Sequence, residues 1–443
     1  MSAAVNPGPA LIYQRPAELL QHLIRFDTTN PPGNERACVT YIQGLLEAAG
    51  VPTWIFAKDP ERPNLLARLK GRGSAPPLLL YGHVDVVSAA NQTWTHPPFA
   101  GEIADGFVWG RGALDMKGGV AMMLAAFLKA QIEQADLPGD LLLLILSDEE
   151  NLSTYGAKFM VEEHADLFEG VRYAIGEFGG FTLTIGGKRF YPIQVAEKQA
   201  CWLRATFRGP AGHGSMPVRG GAMTKLGQFL QRIDRRLPPR VTEPVRLQFS
   251  AMADGLGGVQ ALLIRQLLNP ALTDRILDLL GEKLAIFDPL LHNTVSPTLL
   301  QGGGKINVIP ERVAVELDAR LVPGAKPEEV IAEIRAVTGV EAELEVVAFE
   351  PGPATVDMGL FSTLRGILKE ADPEGIPIPL VLPAVTDGRF FARLGIQTYG
   401  YLPMNLPPGF QFAKAIHAGD ERIPVECLEF GTQAIHRAMQ RFG

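Results

Sequence analysis

The chain has 443 residues, of which 47% are hydrophobic and 20% charged, and its formal net charge is −7. That is the make-up of a globular protein long enough for two domains, and its mild acidity without a concentrated basic surface excludes nucleic acid as a main partner. Three cysteines (Cys38, Cys201 and Cys427) are too few for a disulfide framework and fit no thiolate metal site, which points to a reducing, cytoplasmic setting.

The N-terminal Met1–Pro16 lacks the basic-then-apolar order of a signal peptide. Arg15–Arg25 then carries Leu19, Leu20, Leu23 and Ile24 at helical spacing and stops before the turn-rich Asp27–Gly33. Ala37–Ala49 predicts a second helix, ended by Gly50. Leu65–Leu69 and Leu78–Tyr81 are short apolar runs bounded by Gly and Pro, hence strands. Gly119–Ala135 predicts a long helix, Leu141–Ser147 an apolar strand and Ala157–His164 another helix. None of these runs approaches the roughly 18 consecutive apolar residues of a membrane span. Continuously apolar strands separated by helices predict an α/β domain with a mostly parallel sheet covered on both faces.

The pattern changes near Val195. Cys201, Leu203, Ala205 and Phe207 alternate with Trp202, Arg204, Thr206 and Arg208, which describes a half-buried strand. Met223–Ile233 has helical periodicity, Val313–Leu321 alternates again, Pro327–Val337 is helical and Ala342–Val347 a strand. This order predicts an α+β open sandwich, one sheet with helices on one side. Val241–Gly304 has little pattern and reads as an irregular or helical insertion. Pro/Gly-rich α/β character resumes near Gly352. The expected organisation is therefore 1–195 as the first part of a larger domain, 196–350 as an inserted domain, and 351–443 as the second part of the larger one.

Chemistry-bearing residues follow the predicted strands. Gly82-His83-Val84-Asp85 follows Leu78–Tyr81, Ser147-Asp148-Glu149-Glu150 follows Leu141–Leu146, and Gly176-Glu177 follows Tyr173–Ile175. An open parallel sheet binds ligands at the carboxyl ends of its strands. Asp115, in Gly110-Arg111-Gly112-Ala113-Leu114-Asp115-Met116-Lys117-Gly118-Gly119, and His417, in Ile416-His417-Ala418-Gly419-Asp420-Glu421, complete a set of two imidazoles and three carboxylates. Such a set holds two divalent cations if one carboxylate bridges, and nitrogen and oxygen ligation without thiolate suits zinc, with cobalt or manganese as substitutes. His83 and Asp85, two apart on a strand, project to the same side, so Asp85 can brace the imidazole from behind. Adjacent Glu149 and Glu150 need a bend to serve one site, where one ligates and the other takes a proton from water.

Blander readings apply elsewhere. His22, His96, His164, His292 and His436 read as packing or surface residues, and Cys201 and Cys427 as buried hydrophobes. Asp115 can also cap the helix after it, and Glu149 and Glu150 can be a solvated helix start. The glycine-rich Gly110–Gly119 follows no apolar strand directly and has no acidic residue placed for a ribose, which argues against a dinucleotide site. His213 between two glycines can be a turn residue, and Arg389 a structural salt-bridge partner.

Gly82–Val87, Gly110–Gly119, Asp148–Glu150 and Gly212-His213-Gly214-Ser215-Met216-Pro217, in that order, resemble the M20 metallopeptidase family of carboxypeptidases, dipeptidases, aminoacylases and succinyl-diaminopimelate desuccinylases. Arg25–Glu35 resembles the family's opening and Asn307-Val308-Ile309-Pro310 a lid-domain motif, so the resemblance spans about residues 18 to 435. It implies a zinc-exopeptidase-like catalytic domain interrupted by a lid or dimerisation domain, and two zinc ions. His83 and Glu177 become ligands of different metals, Asp115 the bridge, and Glu150 and His417 the remaining ligands. Glu149 becomes the general base, Asp85 the brace, and His213 the group that stabilises the tetrahedral oxyanion, a residue that dimeric relatives can supply from the partner subunit. Arg389, Asn307 and Arg320 become substrate-facing residues, the arginines for a substrate carboxylate. The implied activity is hydrolysis of small carboxylate-bearing peptides as an exopeptidase. Its alternatives are an N-acyl-amino-acid deacylase or desuccinylase-like amidohydrolase, or a non-catalytic binding protein on the same scaffold. A homodimer through the inserted domain is compatible with each, and neither nucleic acid nor membrane is expected as a partner.

Overall fold

The computed structural model describes residues 9–281, 285–353 and 355–443, so the first eight residues of the Met1–Pro16 segment lie outside it. Contacts divide the chain into two compact units, one of residues 1–195, 357–380 and 386–443, the other of 196–356 and 381–385.

The first unit is built on a nine-stranded sheet. Its strands are β1 (Thr53–Phe56), β2 (Asn64–Leu69), β3 (Leu78–His83), β4 (Leu141–Leu146), β5 (Tyr173–Gly176), β6 (Leu183–Ile185), β7 (Lys188–Glu197), β8 (Ile376–Leu382) and β9 (Gln397–Gly400). They lie in the order β1-β2-β4-β3-β5-β9-β7-β8, with β6 beside β7. β4, β3, β5 and β9 are mutually parallel across the centre, while β1, β2 and β7 pair antiparallel toward the edges. Every residue of β3 and β4 is buried, as continuous apolar runs covered on both faces require. The helix Lys117–Ile132 is apolar nearly all round, which only a buried helix tolerates, and it packs on Pro16–Ile24 and on Val425–Arg441. Gly118 lets the preceding loop fold straight into that helix, because a Cβ there would sit 2.1 Å from the Ala113 carbonyl oxygen. Among the described residues no helix is long and apolar enough to cross a membrane.

The second unit has a four-stranded antiparallel sheet in the order Thr294–Gly302, Arg312–Leu321, Gln199–Arg208, Glu343–Phe349. Helices Ala222–Ile233 and Pro327–Thr338 cover its inward face, where Leu203, Phe207, Phe229, Leu317 and Ile334 form the core. Val241–Gly304 resolves into helices Glu243–Leu256, Gly258–Gln266, Thr273–Leu280 and Asp288–Leu291, followed by the outer strand of the sheet. That strand escapes a periodicity reading because most of it is exposed and its register shifts between Pro297 and Leu299, which erases the alternation. Cys38, Cys201 and Cys427 are all free and buried.

Candidate metal centre

His83 ends β3 and is buried. The strand stops there, so Asp85 braces it from a loop rather than from the same strand face. The Asp85 backbone carbonyl is the nearer partner of His83 Nδ1, at 3.0 Å, with the Asp85 carboxylate at 3.4 Å. An N–H on Nδ1 donated to that carbonyl leaves Nε2 as the electron-pair donor. Nε2 lies 3.2 Å from Asp115 Oδ1 and 3.6 Å from Glu177 Oε2, at the end of β5.

Asp115 lies between the two imidazoles, since its other oxygen, Oδ2, is 3.2 Å from His417 Nε2. The backbone N–H groups of Leu114 and Asp115 donate to Glu421 Oε1 at 2.8 and 3.2 Å. Arg111 pairs with Glu421 Oε2 at 2.6 Å and reaches the His417 carbonyl at 3.4 Å. Gln92 donates to the same carbonyl at 2.7 Å. One buried ion pair therefore ties the Asp115 loop to the His417 loop, whose histidine has φ +59°.

The required bend after β4 is made by Asp148, at φ +68°, followed by a single 3₁₀ turn, Glu149–Asn151. Asp85 pins that turn: its Oδ1 accepts the Glu149 N–H at 3.1 Å and its Oδ2 the Glu150 N–H at 3.0 Å. Glu150 Oε1 lies 3.2 Å from His417 Nε2. Ligand atoms of His83, Glu149 and Glu177 lie within 4.8 Å of one another, as do those of His83, Asp115 and Glu150. Beside Asp115, the carboxylate nearest His83 Nε2 is Glu177 at 3.6 Å, and the one nearest His417 Nε2 is Glu150 at 3.2 Å. With nitrogen and carboxylate oxygen as donors and no thiolate, the set fits divalent metal of the zinc kind.

Electrostatics agree with a site made for cations. Hydrogen bonds to Asp115 and Glu150 raise the His417 imidazole to about 10. Burial opposes the charged form of His83, but the carboxylates of Asp115, Asp85 and Glu177 outweigh it and raise that imidazole too. Burial likewise opposes ionised Asp115, and the two histidines overcome it, holding the carboxyl well below its usual range. Burial pushes Glu177 up to about 7 and, together with the Glu177 charge, raises Glu149 well above an ordinary glutamate.

Four residues singled out from the sequence lie apart from this cluster's hydrogen bonds. His213 belongs to the second unit, on a two-residue strand paired with Val308–Ile309, exposed, with Nδ1 2.7 Å from Ser215 Oγ. Asn307 is beside it, its carbonyl accepting the Gly214 N–H at 2.9 Å. Arg320 is paired with Asp318 at 2.8 Å. Arg389, in the first unit, is held by the Thr386 carbonyl at 2.7 Å and lies 4.3 Å from the Phe390 ring centroid.

Sequence reasoning did not assign Asn30, Arg62, Arg111, Asp148, Asp387 or Glu421. Asp387 is buried, accepts the Ser153 hydroxyl at 2.5 Å, and is pushed up to about 6 by burial. All but Arg62 and Asp387 lie inside motifs already quoted, so the usable signal was a polar residue within a motif but without a role.

A family model described as peptidase family M20/M25/M40 matches residues 79–441. The chain is 27% identical over 371 residues to a probable carboxypeptidase S-like protein of Dictyostelium discoideum, covering 80% of this chain and 69% of that one. It is 25% identical over 422 residues to aminoacylase-1 of Sus scrofa, covering 91% and 89%. Among solved structures, an M20 family metallo-carboxypeptidase of Sulfolobus solfataricus superposes with a TM-score of 0.69 at 18% identity, over 96% of this chain and 98% of that one. A dinuclear metal-binding peptidase of the M20 family from Bacillus subtilis superposes with a TM-score of 0.62 at 15% identity, over 97% of each. Both share the α/β fold described above.

Proposed function

The chain belongs to the M20/M25/M40 peptidase family, and from that membership we propose that it is a dinuclear zinc hydrolase that cleaves amide bonds of small carboxylate-bearing substrates, as an exopeptidase of the carboxypeptidase or dipeptidase type. The observation that carries this reading is the bracket of Asp115 by two imidazoles, each 3.2 Å from one of its oxygens, with Glu177 beside one and Glu150 beside the other. His83, Asp115 and Glu177 would hold one ion and Asp115, Glu150 and His417 the other. When bound, the ions supply Lewis-acid polarisation of the amide carbonyl and acidify water.

The protein's own groups do the rest. Glu149, which burial and the Glu177 charge make a better proton acceptor than an ordinary glutamate, takes the proton of the attacking water and returns it to the leaving amine. Asp85 keeps the His83 imidazole oriented through its carbonyl and keeps the turn carrying Glu149 in place through its carboxylate. His213, beside Asn307, donates to the oxyanion of the tetrahedral intermediate, while Arg389 receives the substrate carboxylate, with Arg320 as a second candidate.

The first unit is the catalytic domain in this reading and the second a lid, through which the protein forms a homodimer. In support, the outer strand Thr294–Gly302 leaves one edge unpaired among the described residues and presents Leu299 and Leu300 at 63% and 62% exposure. A second reading, an N-acyl-amino-acid deacylase, draws on the similarity to aminoacylase-1 over 91% of the chain.

Zinc- or cobalt-loaded protein assayed on dipeptides, N-acetyl and N-succinyl amino acids separates the two. Faster turnover of dipeptides supports the peptidase and faster turnover of N-acyl substrates the deacylase. Hydrolysis of none overturns both. In the same assay His213→Ala should lower kcat about 10²–10³-fold, the usual cost of one oxyanion donor, with metal content unchanged. An unchanged kcat removes His213 from that role.

A further inference from the structure

Behind the metal cluster, the Asp85 carboxylate begins a buried chain of polar contacts whose other members have no role in the steps above. Asp85 Oδ2 accepts Asn30 Nδ2–H at 2.8 Å, and the same amide donates to Asp148 Oδ1 at 3.0 Å. Arg62 Nη1 lies 2.9 Å from Asp148 Oδ1, and its Nη2 2.7 Å from Glu35 Oε1. Glu35, Asp85 and Asp148 are fully buried carboxylates; Arg62 pairs directly with Glu35 and Asp148, and Asn30 joins Asp148 to Asp85. A buried charge persists only when its partners are fixed. Arg62 is fixed on each side that the contacts define. One fork of its guanidinium meets Glu35, another Asp148, and the Tyr155 ring centroid lies 5.0 Å away. Gly33, at φ +85°, completes the enclosure, for a Cβ there would come within 2.3 Å of Arg62 Nε.

The far end of this chain is the residue that turns the backbone toward the site. Asp148 sits in the left-handed region at φ +68°, a conformation that costs free energy for a side-chain-bearing residue and must be imposed by its surroundings. Its Oδ2 accepts the Tyr155 N–H at 3.0 Å and its carbonyl the Ser153 N–H at 2.7 Å, so the Asp148 carboxylate and backbone close the loop that carries Glu149 and Glu150. Asp85 grips the same turn from the other side through the two peptide N–H groups. Asn30 bridges the two grips.

We propose that Arg62 and Asp148 are positioning residues for the reaction: the Arg62 charge fixes the Asp148 carboxylate, and Asp148 fixes the turn that aims Glu149 at the water and Glu150 at its metal. This rests on the hydrolase reading above. Asp148→Asn keeps the shape and one acceptor but removes the charge that Arg62 needs.

The test measures kcat, KM, bound metal and the cobalt(II) absorption spectrum of cobalt-loaded Asp148→Asn and Arg62→Lys beside the parent. Loss of an outer-shell partner typically costs 10–100-fold, so Asp148→Asn is expected to lose about that factor in kcat with KM within about twofold and both ions retained. Arg62→Lys moves kcat in the same direction by less. The cobalt bands shift, because Glu150 rides on the same turn. A wild-type kcat with an unshifted spectrum overturns the proposal. So does a kcat that falls only in proportion to lost metal, which would make the chain a support for the fold. If Asp148→Asn does not fold, Arg62→Lys carries the same outcomes. If the parent hydrolyses no amide, the hydrolase reading fails by itself, and the spectrum alone decides this one: shifted bands support positioning and unshifted bands contradict it.

Discussion

Glu149→Ala should lower kcat by about 10²–10⁴-fold, the range that a positioned general base contributes, while the protein still binds both metal ions. The separation follows from geometry. Glu149 and Glu150 share one 3₁₀ turn, but it is Glu150 whose oxygen lies 3.2 Å from His417 Nε2, and Glu149 that burial and the Glu177 charge keep avid for a proton. Truncating the first removes a base and leaves the donors on both sides of Asp115 intact. Metal analysis and steady-state kinetics on the same preparation check it. A variant that retains substantial turnover, or that loses metal along with turnover, contradicts the division of labour between the two glutamates.

Asp115→Ala should have the opposite signature: loss of metal first, and of turnover with it. Among the described residues Asp115 alone offers an oxygen to each imidazole, at 3.2 Å on both sides, and its own backbone is held by Glu421. On the proposed reading Asp115 is an inner ligand of both ions, so the fall in metal affinity should exceed the 10–100-fold typical of outer-shell partners. pH enters through the same groups in the parent protein. Without metal, His417 keeps its proton up to about 10 and Glu177 up to about 7. A metal must displace those protons, so affinity rises with pH up to about 10, and more steeply below about 7, where the Glu177 proton must also leave. Calorimetry in buffers of different ionisation enthalpy counts the protons released. Metal uptake independent of pH between 6 and 8 would remove both groups from the coordination set.

Much of this architecture was legible in the chain because burial on two faces writes itself into composition. Leu78–Tyr81 and Leu141–Leu146 are continuous apolar runs, and the helix at Lys117–Ile132 has no polar face, so a central parallel sheet with covered faces was a direct reading. The residues at the ends of those strands were legible for the same reason: His, Asp and Glu after an apolar run have nowhere to be but a sheet edge. What did not show were features set by partners distant in sequence. Asn30 meets Asp85 across 55 positions and Asp148 across 118, and Arg111 meets Glu421 across 310. No local period encodes such pairs. The outer strand Thr294–Gly302 was hidden for a different reason, since an exposed strand with a proline-marked register shift carries no alternation.

The most direct measurement is a titration of metal-free protein with zinc or cobalt, counting bound ions per chain while following amide hydrolysis. The account predicts saturation at two ions, turnover that appears with occupancy and is abolished by chelator, and failure to reach two ions in His83→Ala. Saturation at one ion or none, or amide hydrolysis indifferent to chelation, would contradict it.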